Sequence, residues 1–211
     1  MNKVILGSVF GTRLNLNGDQ GNLLALRRYL EAAGLTVEVR PVISTDDALG
    51  CNFVMLGHGS MAAMKSLEPQ LTAFDWSKIL ERVPGLAVGS GFEWLAREVL
   101  STAVTESENR VSEFQVAELG IIRALGYRNT ATDLPNLQLN GSFICSMLHG
   151  PLLAKNPRLL HRAAQTAAKS ASLELKHTPE LAAWVNELNR ICGGIWKLEA
   201  PEAEYQELSL K

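Results

Sequence analysis

His149 stands in the run Leu148-His149-Gly150-Pro151-Leu152-Leu153-Ala154-Lys155-Asn156-Pro157, where a histidine could act as a general base. Two glycine-flanked turns carry other side chains suited to chemistry, Gly57-His58-Gly59 and Gly89-Ser90-Gly91. Ser90 paired with His149 would suit acyl transfer, because amides at the start of a following helix can stabilise an oxyanion. The same serine could instead cap a helix that begins at Gly91. His149 likewise has a plain reading, as a hydrogen-bonded and partly buried residue that closes a strand. Gly57, Gly59 and Gly91 allow close backbone approach, so their neighbouring amides could face an anion. Glu93 reads as a surface residue of a helix face, with His161 and His177 solvated on or before the C-terminal helices.

These residues need elements to position them, and the hydrophobic pattern supplies alternating strands and helices. Lys3 to Val9, Leu35 to Val42, Phe53 to Leu56 and Gly85 to Val88 read as strands. Helices are expected from an Asn22 cap to Gly34, from Ser60 to Leu67, over Trp76 to Val83 and from Gly91 to Leu100. Such alternation predicts a mostly parallel central sheet covered by helices on both faces, a three-layer α/β sandwich. The turns after the first, third and fourth strands then meet at the carboxyl edge, where open α/β folds place their ligands.

Beyond Leu100 the spacing changes. A polar connection over Ser101 to Arg110 leads to strands near Glu113 to Val116 and Ile121 to Gly126, then a loop from Arg128 to Asn140 and a strand over Ser142 to Leu148. An antiparallel extension of the sheet is expected there. Pro157 to Leu173 and Pro179 to Ile191 read as helices, the second starting at Thr178 and ending at Gly193-Gly194. The acidic tail beyond Lys197 has two readings, ordered by Trp196 and Tyr205 or a mobile end.

The chain of 211 residues, 46% hydrophobic and 20% charged, has the composition of a packed domain. A net charge of -2 with scattered basic residues argues against nucleic acid as a partner. No apolar run is long enough to span a bilayer and no signal peptide is recognised, so a cytoplasmic location is expected. Cys51, Cys145 and Cys192 show no CxxC spacing and read as buried small hydrophobes, so no disulfide framework, metal site or cofactor is expected.

Several segments together resemble the cobBQ-type class I glutamine amidotransferases, and most closely the glutaminase subunit of lipid II isoglutaminyl synthase. The run from Leu148 to Pro157 looks like that family's histidine motif. Asn17-Gly18-Asp19-Gln20-Gly21-Asn22 is similar to its Tyr-Gly-Asp-Arg-Gly-Asn opening. Met55-Leu56-Gly57-His58-Gly59-Ser60 occupies the place of a Gly-Gly-Gly-Gln type oxyanion loop. Gly126-Tyr127-Arg128-Asn129-Thr130 resembles a Gly-Phe-Glu-Asn-His segment, with Arg128 for glutamate and Thr130 for histidine. Gly85 to Leu95 looks like the family elbow, with Gly89 under the nucleophilic cysteine and Glu93 under a glutamine.

The resemblance covers about residues 1 to 165 and implies the family fold over 1–175, with 176–211 a C-terminal helix and tail packed on that domain or trailing from it. It implies His149 as half of a catalytic pair and Gly89 as the position of the lost nucleophile. Gly57, His58, Gly59, Gly91 and Asn129 would form the oxyanion and substrate region. The departures fall where catalysis would occur, which implies a degenerate glutaminase that binds a separate Mur-ligase-like synthetase in peptidoglycan and cell wall biogenesis, with a glutamine-like small ligand possible. Two alternatives stand beside it: a serine hydrolase or amidohydrolase using Ser90 and His149, and an active glutaminase drawing a cysteine such as Cys51 or Cys145 from elsewhere.

Overall fold

A computed structural model of the protein describes residues 3–210. In chain order its elements begin with β1 (Lys3–Val9), α1 (Gln20–Ala32), β2 (Thr36–Val42), α2 (Thr45–Leu49), β3 (Phe53–Leu56), α3 (Met61–Thr72), α4 (Trp76–Arg82), β4 (Gly85–Val88) and α5 (Ser90–Glu98). There follow β5 (Glu106–Leu119), β6 (Ile122–Thr132), β7 (Leu137–Asn140), β8 (Phe143–Ser146), β9 (Leu148–His149), α6 (Leu152–Lys155), α7 (Pro157–Ser170) and α8 (Pro179–Glu199).

Five strands run parallel in the order β2-β1-β3-β4-β8, and β7 joins the edge antiparallel to β8. Side chains along these strands alternate between two cores, as the strand period of two requires. Val4, Leu6, Phe53, Met55, Leu86, Val88 and Ile144 face one core with α1, α7 and α8. Val54, Leu56, Ala87, Phe143 and Cys145 face the other with α3, α4 and α5. Full burial of each large side chain contributes roughly 1.5–3 kcal/mol, so both faces hold their helices. The expected α/β class with a mostly parallel sheet between helices is the observed one.

The second half departs from the expected strand plan. β5 and β6 form one long antiparallel hairpin that reaches Thr132, so the expected loop over Arg128 to Asn140 is partly strand and ends in β7. This hairpin does not extend the main sheet; with β9 it makes a second, three-stranded sheet. The chain changes sheets at Met147, so the single strand expected over Ser142 to Leu148 is split. Ser146 Oγ donates to Asn136 O and accepts from Leu148 N–H, which turns the backbone from β7 towards β6.

Three helix expectations are corrected as well. Asn22 is not a cap: α1 starts at Gln20, and the fully buried Asn22 side chain accepts the Leu153 N–H at 2.7 Å. The Ser60 cap is present, bonded to Ala63 N–H, but α3 runs on through Pro69 to Thr72. α8 passes through Gly193-Gly194 to Glu199, because Cys192 and Trp196 are buried on either side. A Cβ on Gly193 would lie 3.3 Å from the Tyr205 ring, so the glycine admits the returning tail. That tail is ordered: Asn189 bonds both backbone groups of Leu208, and Tyr205 OH donates to Asn189 Oδ1. Leu181, Val185 and Leu208 belong to the same core as α1 and α7.

Candidate functional site

The ends of β1, β3, β4 and β9 bring Asp19, His58, Gly89, Ser90 and His149 together. β4 ends at Val88, and the φ of 55° and ψ of -123° of the following Gly89 make a sharp elbow before α5. Such a positive φ favours glycine. Gly91 packs so tightly on the end of β3 that a Cβ would lie 2.5 Å from Gly57 O. Gly57 lies under the β1–α1 loop, where a Cβ would reach within 2.2 Å of Leu14 O. The glycine turns therefore draw three loops onto one point of the carboxyl edge.

His58 fills that point. Its Nδ1 accepts the Ser90 N–H, the first amide of α5, at 2.9 Å. Its ring stands edge-on to His149, with centroids 4.5 Å apart. A Cβ at Gly89 would lie 2.6 Å from His58 Nδ1 and 2.4 Å from His149 Cε1. The space beside the elbow that a nucleophile's side chain would enter is thus occupied by two imidazoles.

Two further backbone donors are engaged too. His58 N–H donates to Asp19 Oδ2 at 3.0 Å, and Gly59 N–H donates to Ser90 Oγ at 2.9 Å. The Ser90 hydroxyl donates in turn to Gly59 O at 3.0 Å. Ser90 is therefore neither a helix cap, since α5 has no side-chain cap bond, nor aimed at His149. Its hydroxyl clamps the Gly59 peptide. An oxyanion hole needs donors left free for the substrate, and these are taken.

Burial sets the electrostatics. His149 is 3% exposed, and burial together with the neighbouring His58, Arg110 and Arg128 pushes its ring down to about 4, against a hydrogen bond with the Asn129 backbone. It is neutral at physiological pH, and its Nδ1 has no hydrogen-bond partner among the described residues. Burial and Arg110 also hold His58 below its ordinary value. Asp19 is 0% exposed, and burial raises its carboxyl to about 6 despite the His58 N–H. Its Oδ1 and the Asn22 Nδ2 also lack partners among the described residues.

The remaining residues of the expected site have holding roles. Asn129 accepts a bond from Arg110 Nε at 2.7 Å, and Glu93 pairs with Arg97 at 3.1 Å. Arg128 donates to Thr132 O at 2.6 Å and to Leu134 O at 3.1 Å, tying down the β6–β7 connection. His161 is not simply solvated, since its ring bonds Tyr29 OH. Asn156, 2% exposed, binds the Leu125 N–H and carbonyl at 2.8 and 2.9 Å, and so docks the α6–α7 junction on β6. Much of the run from Leu148 to Pro157 is thereby explained by docking.

Burial pushes Cys51 up to about 11 and Cys145 and Cys192 up to about 12, so these thiols are protonated and poorly nucleophilic at neutral pH. Among the described residues no group of three or more His, Cys, Asp or Glu is placed to hold a metal ion, and no helix is long and apolar enough to cross a membrane. Asp19 and Arg110 are the participants that sequence reasoning missed. Asp19 lies within the Asn17 to Asn22 motif, whereas Arg110 carries no signal in its polar surroundings.

No protein-family model matches the sequence, and no curated protein matches it. Solved structures do match the fold. A protein from Thermoplasma acidophilum, assigned as one of the subunits of GMP synthase, aligns with 80% of this chain and 96% of its own, at 14% identity and a TM-score of 0.52. The glutaminase domain of CTP synthase from Trypanosoma brucei, solved with acivicin, aligns with 84% of this chain and 98% of its own, at 12% identity and a TM-score of 0.53. The chain therefore has a class I glutamine amidotransferase-like fold.

Proposed function

We propose that this chain is a degenerate glutaminase of the cobBQ type that serves as a binding subunit of a separate Mur-ligase-like synthetase. The observation that carries the reading is the filled elbow: Gly89 offers no nucleophile, and the His58 and His149 rings occupy the place where one would stand. The Ser90 amide, which would face an oxyanion, instead donates to His58. A fold shared with a glutaminase domain and with a component of GMP synthase agrees with a partner that performs synthesis. The motif resemblance to the glutaminase subunit of lipid II isoglutaminyl synthase favours a synthetase of cell wall precursors. Within this reading His149 is a remnant of a catalytic pair: its neutral ring could accept a proton, but Gly89 leaves no nucleophile to give one.

The test is ammonia release from glutamine by the purified chain, alone and with a candidate Mur-ligase-like synthetase, together with co-elution of the two proteins. No turnover is expected in either case, and a stable complex is expected with the correct synthetase. Robust glutamine hydrolysis that disappears in His149→Ala would overturn the proposal.

A further inference from the structure

The imidazole of His58 behaves as a ligand held in a site. It is flat, it accepts the first amide of the nine-residue helix α5, and it lies against the unpartnered Nδ1 of His149, a side chain only 3% exposed. His149 Nδ1 points to the same place, since it would lie 2.9 Å from a Cβ on Gly89. We infer that the elbow is an anion site in which a small carboxylate displaces the His58 ring and is received by the Ser90 N–H and by His149. This deepens the proposed function, resting on an elbow that performs no chemistry of its own.

Charge and hydrogen bonding select the ligand class. A helix N-terminus carries partial positive charge and free amide donors, so it favours anions. Arg110 of β5 and Arg128 of β6 add positive potential, since both disfavour the charged form of His149. A carboxylate has two planar oxygens, enough to accept from Ser90 N–H and from a second donor at His149. Because the Asn129 backbone already engages the His149 ring and Nδ1 is the bare nitrogen, that second donor forms when Nδ1 takes up a proton.

Displacement is itself linked to protons. His58 can accept the Ser90 amide only while Nδ1 is unprotonated; an added proton sets two N–H groups against each other and expels the ring. The groups that face His58 are Asp19 from the start of α1, His149 from β9 and Arg110 from β5. Asp19 opposes an anion only while ionised, and with a carboxyl near 6 it too is neutralised as the pH falls. All three changes favour carboxylate binding in acid. One proton taken up per anion tightens binding by up to about tenfold per pH unit.

The experiment is a titration of the full-length, 15N-labelled chain with sodium acetate at constant ionic strength, at about pH 7.5 and about pH 5.5. Saturable shifts are expected at the Ser90 amide and at the His58 and His149 ring nitrogens, with affinity roughly ten- to a hundredfold tighter at the lower pH. His58→Ala keeps the backbone bond to Asp19 while removing the competing ring, so it is expected to bind acetate more tightly than the natural chain at the higher pH. A silent Ser90 amide, equal affinity at both pH values, or no gain in His58→Ala would each overturn the inference. Methylammonium chloride producing the same shifts would overturn it as well. Glutamine turnover, by contrast, would overturn the non-catalytic reading, so the two failures are told apart.

Discussion

At the residue scale the elbow is defined by a glycine that could not simply be restored to a cysteine. Gly89→Cys would place a side chain at a φ of 55° and drive its Cβ into two imidazoles. A non-glycine residue in a strained region costs about 1–3 kcal/mol, and overpacking adds about 1–3 kcal/mol. Urea denaturation of Gly89→Cys is expected to show a loss of roughly 2–6 kcal/mol, by those two effects together. Adding His58→Gly vacates the ring, so the double variant is expected to recover about 0.5–3 kcal/mol through coupling between touching sites. Strictly additive losses would show that the His58 ring is not what fills the elbow. The glycine and both histidines stand out in the sequence, but their mutual exclusion does not. Either histidine alone is compatible with catalysis, and only the closeness of both rings to Gly89 shows that the space a nucleophile would need is filled.

At the element scale, short buried strands bounded by glycine or polar residues are legible because four apolar residues in a row have few other uses in a parallel sheet. Phe53–Leu56 and Gly85–Val88 are such strands. The β5–β6 hairpin is harder to read, since exposed polar residues over most of β5 hide its alternation. The Gly193-Gly194 pair misleads for another reason: glycine is a helix breaker only where packing does not hold the helix. A methyl group added at Gly194 would have nothing within 4 Å, whereas one on Gly193 would press on Tyr205. Gly194→Ala is therefore expected to raise stability by about 0.5–1 kcal/mol through lower backbone entropy in the unfolded chain. Gly193→Ala is expected to gain less or to lose, and thermal denaturation of the pair checks the order. Equal gains would mean that the tail does not pack on the helix at Tyr205.

At the scale of the whole molecule, two buried groups of the site give the fold opposing responses to pH. The folded state raises Asp19 from 3.8 to about 6, so between those values it binds more protons than the unfolded chain does. Stability from this group is greatest below pH 4 and is lost as pH rises towards 6. His149 is lowered from 6.5 to about 4, so there the unfolded chain binds more protons, and stability is lost as pH falls through that window. Each effect is on the order of 3 kcal/mol, and they offset one another between about pH 4 and 6. Asp19→Asn keeps an acceptor for the His58 N–H but cannot ionise. The variant is expected to be about 2 kcal/mol more stable than the natural chain near pH 7 and to lose stability more steeply on acidification, as urea midpoints at several pH values would show. Parallel pH curves for the two proteins would refute the linkage.

The sequence by itself determined the class of fold, because the strand and helix periods, the glycine stops and the serine and threonine caps are local properties that survive without knowledge of partners. It also marked three of the loops that meet at the carboxyl edge. Tertiary structure alone decided what those loops do to one another. Whether the Ser90 amide faces an oxyanion or an imidazole depends on where β3, β4 and β9 end relative to each other, and no spacing along the chain encodes that distance. The same holds for Asp19 and Asn156, ordinary polar residues in the sequence whose roles come from burial beside groups far away in the chain.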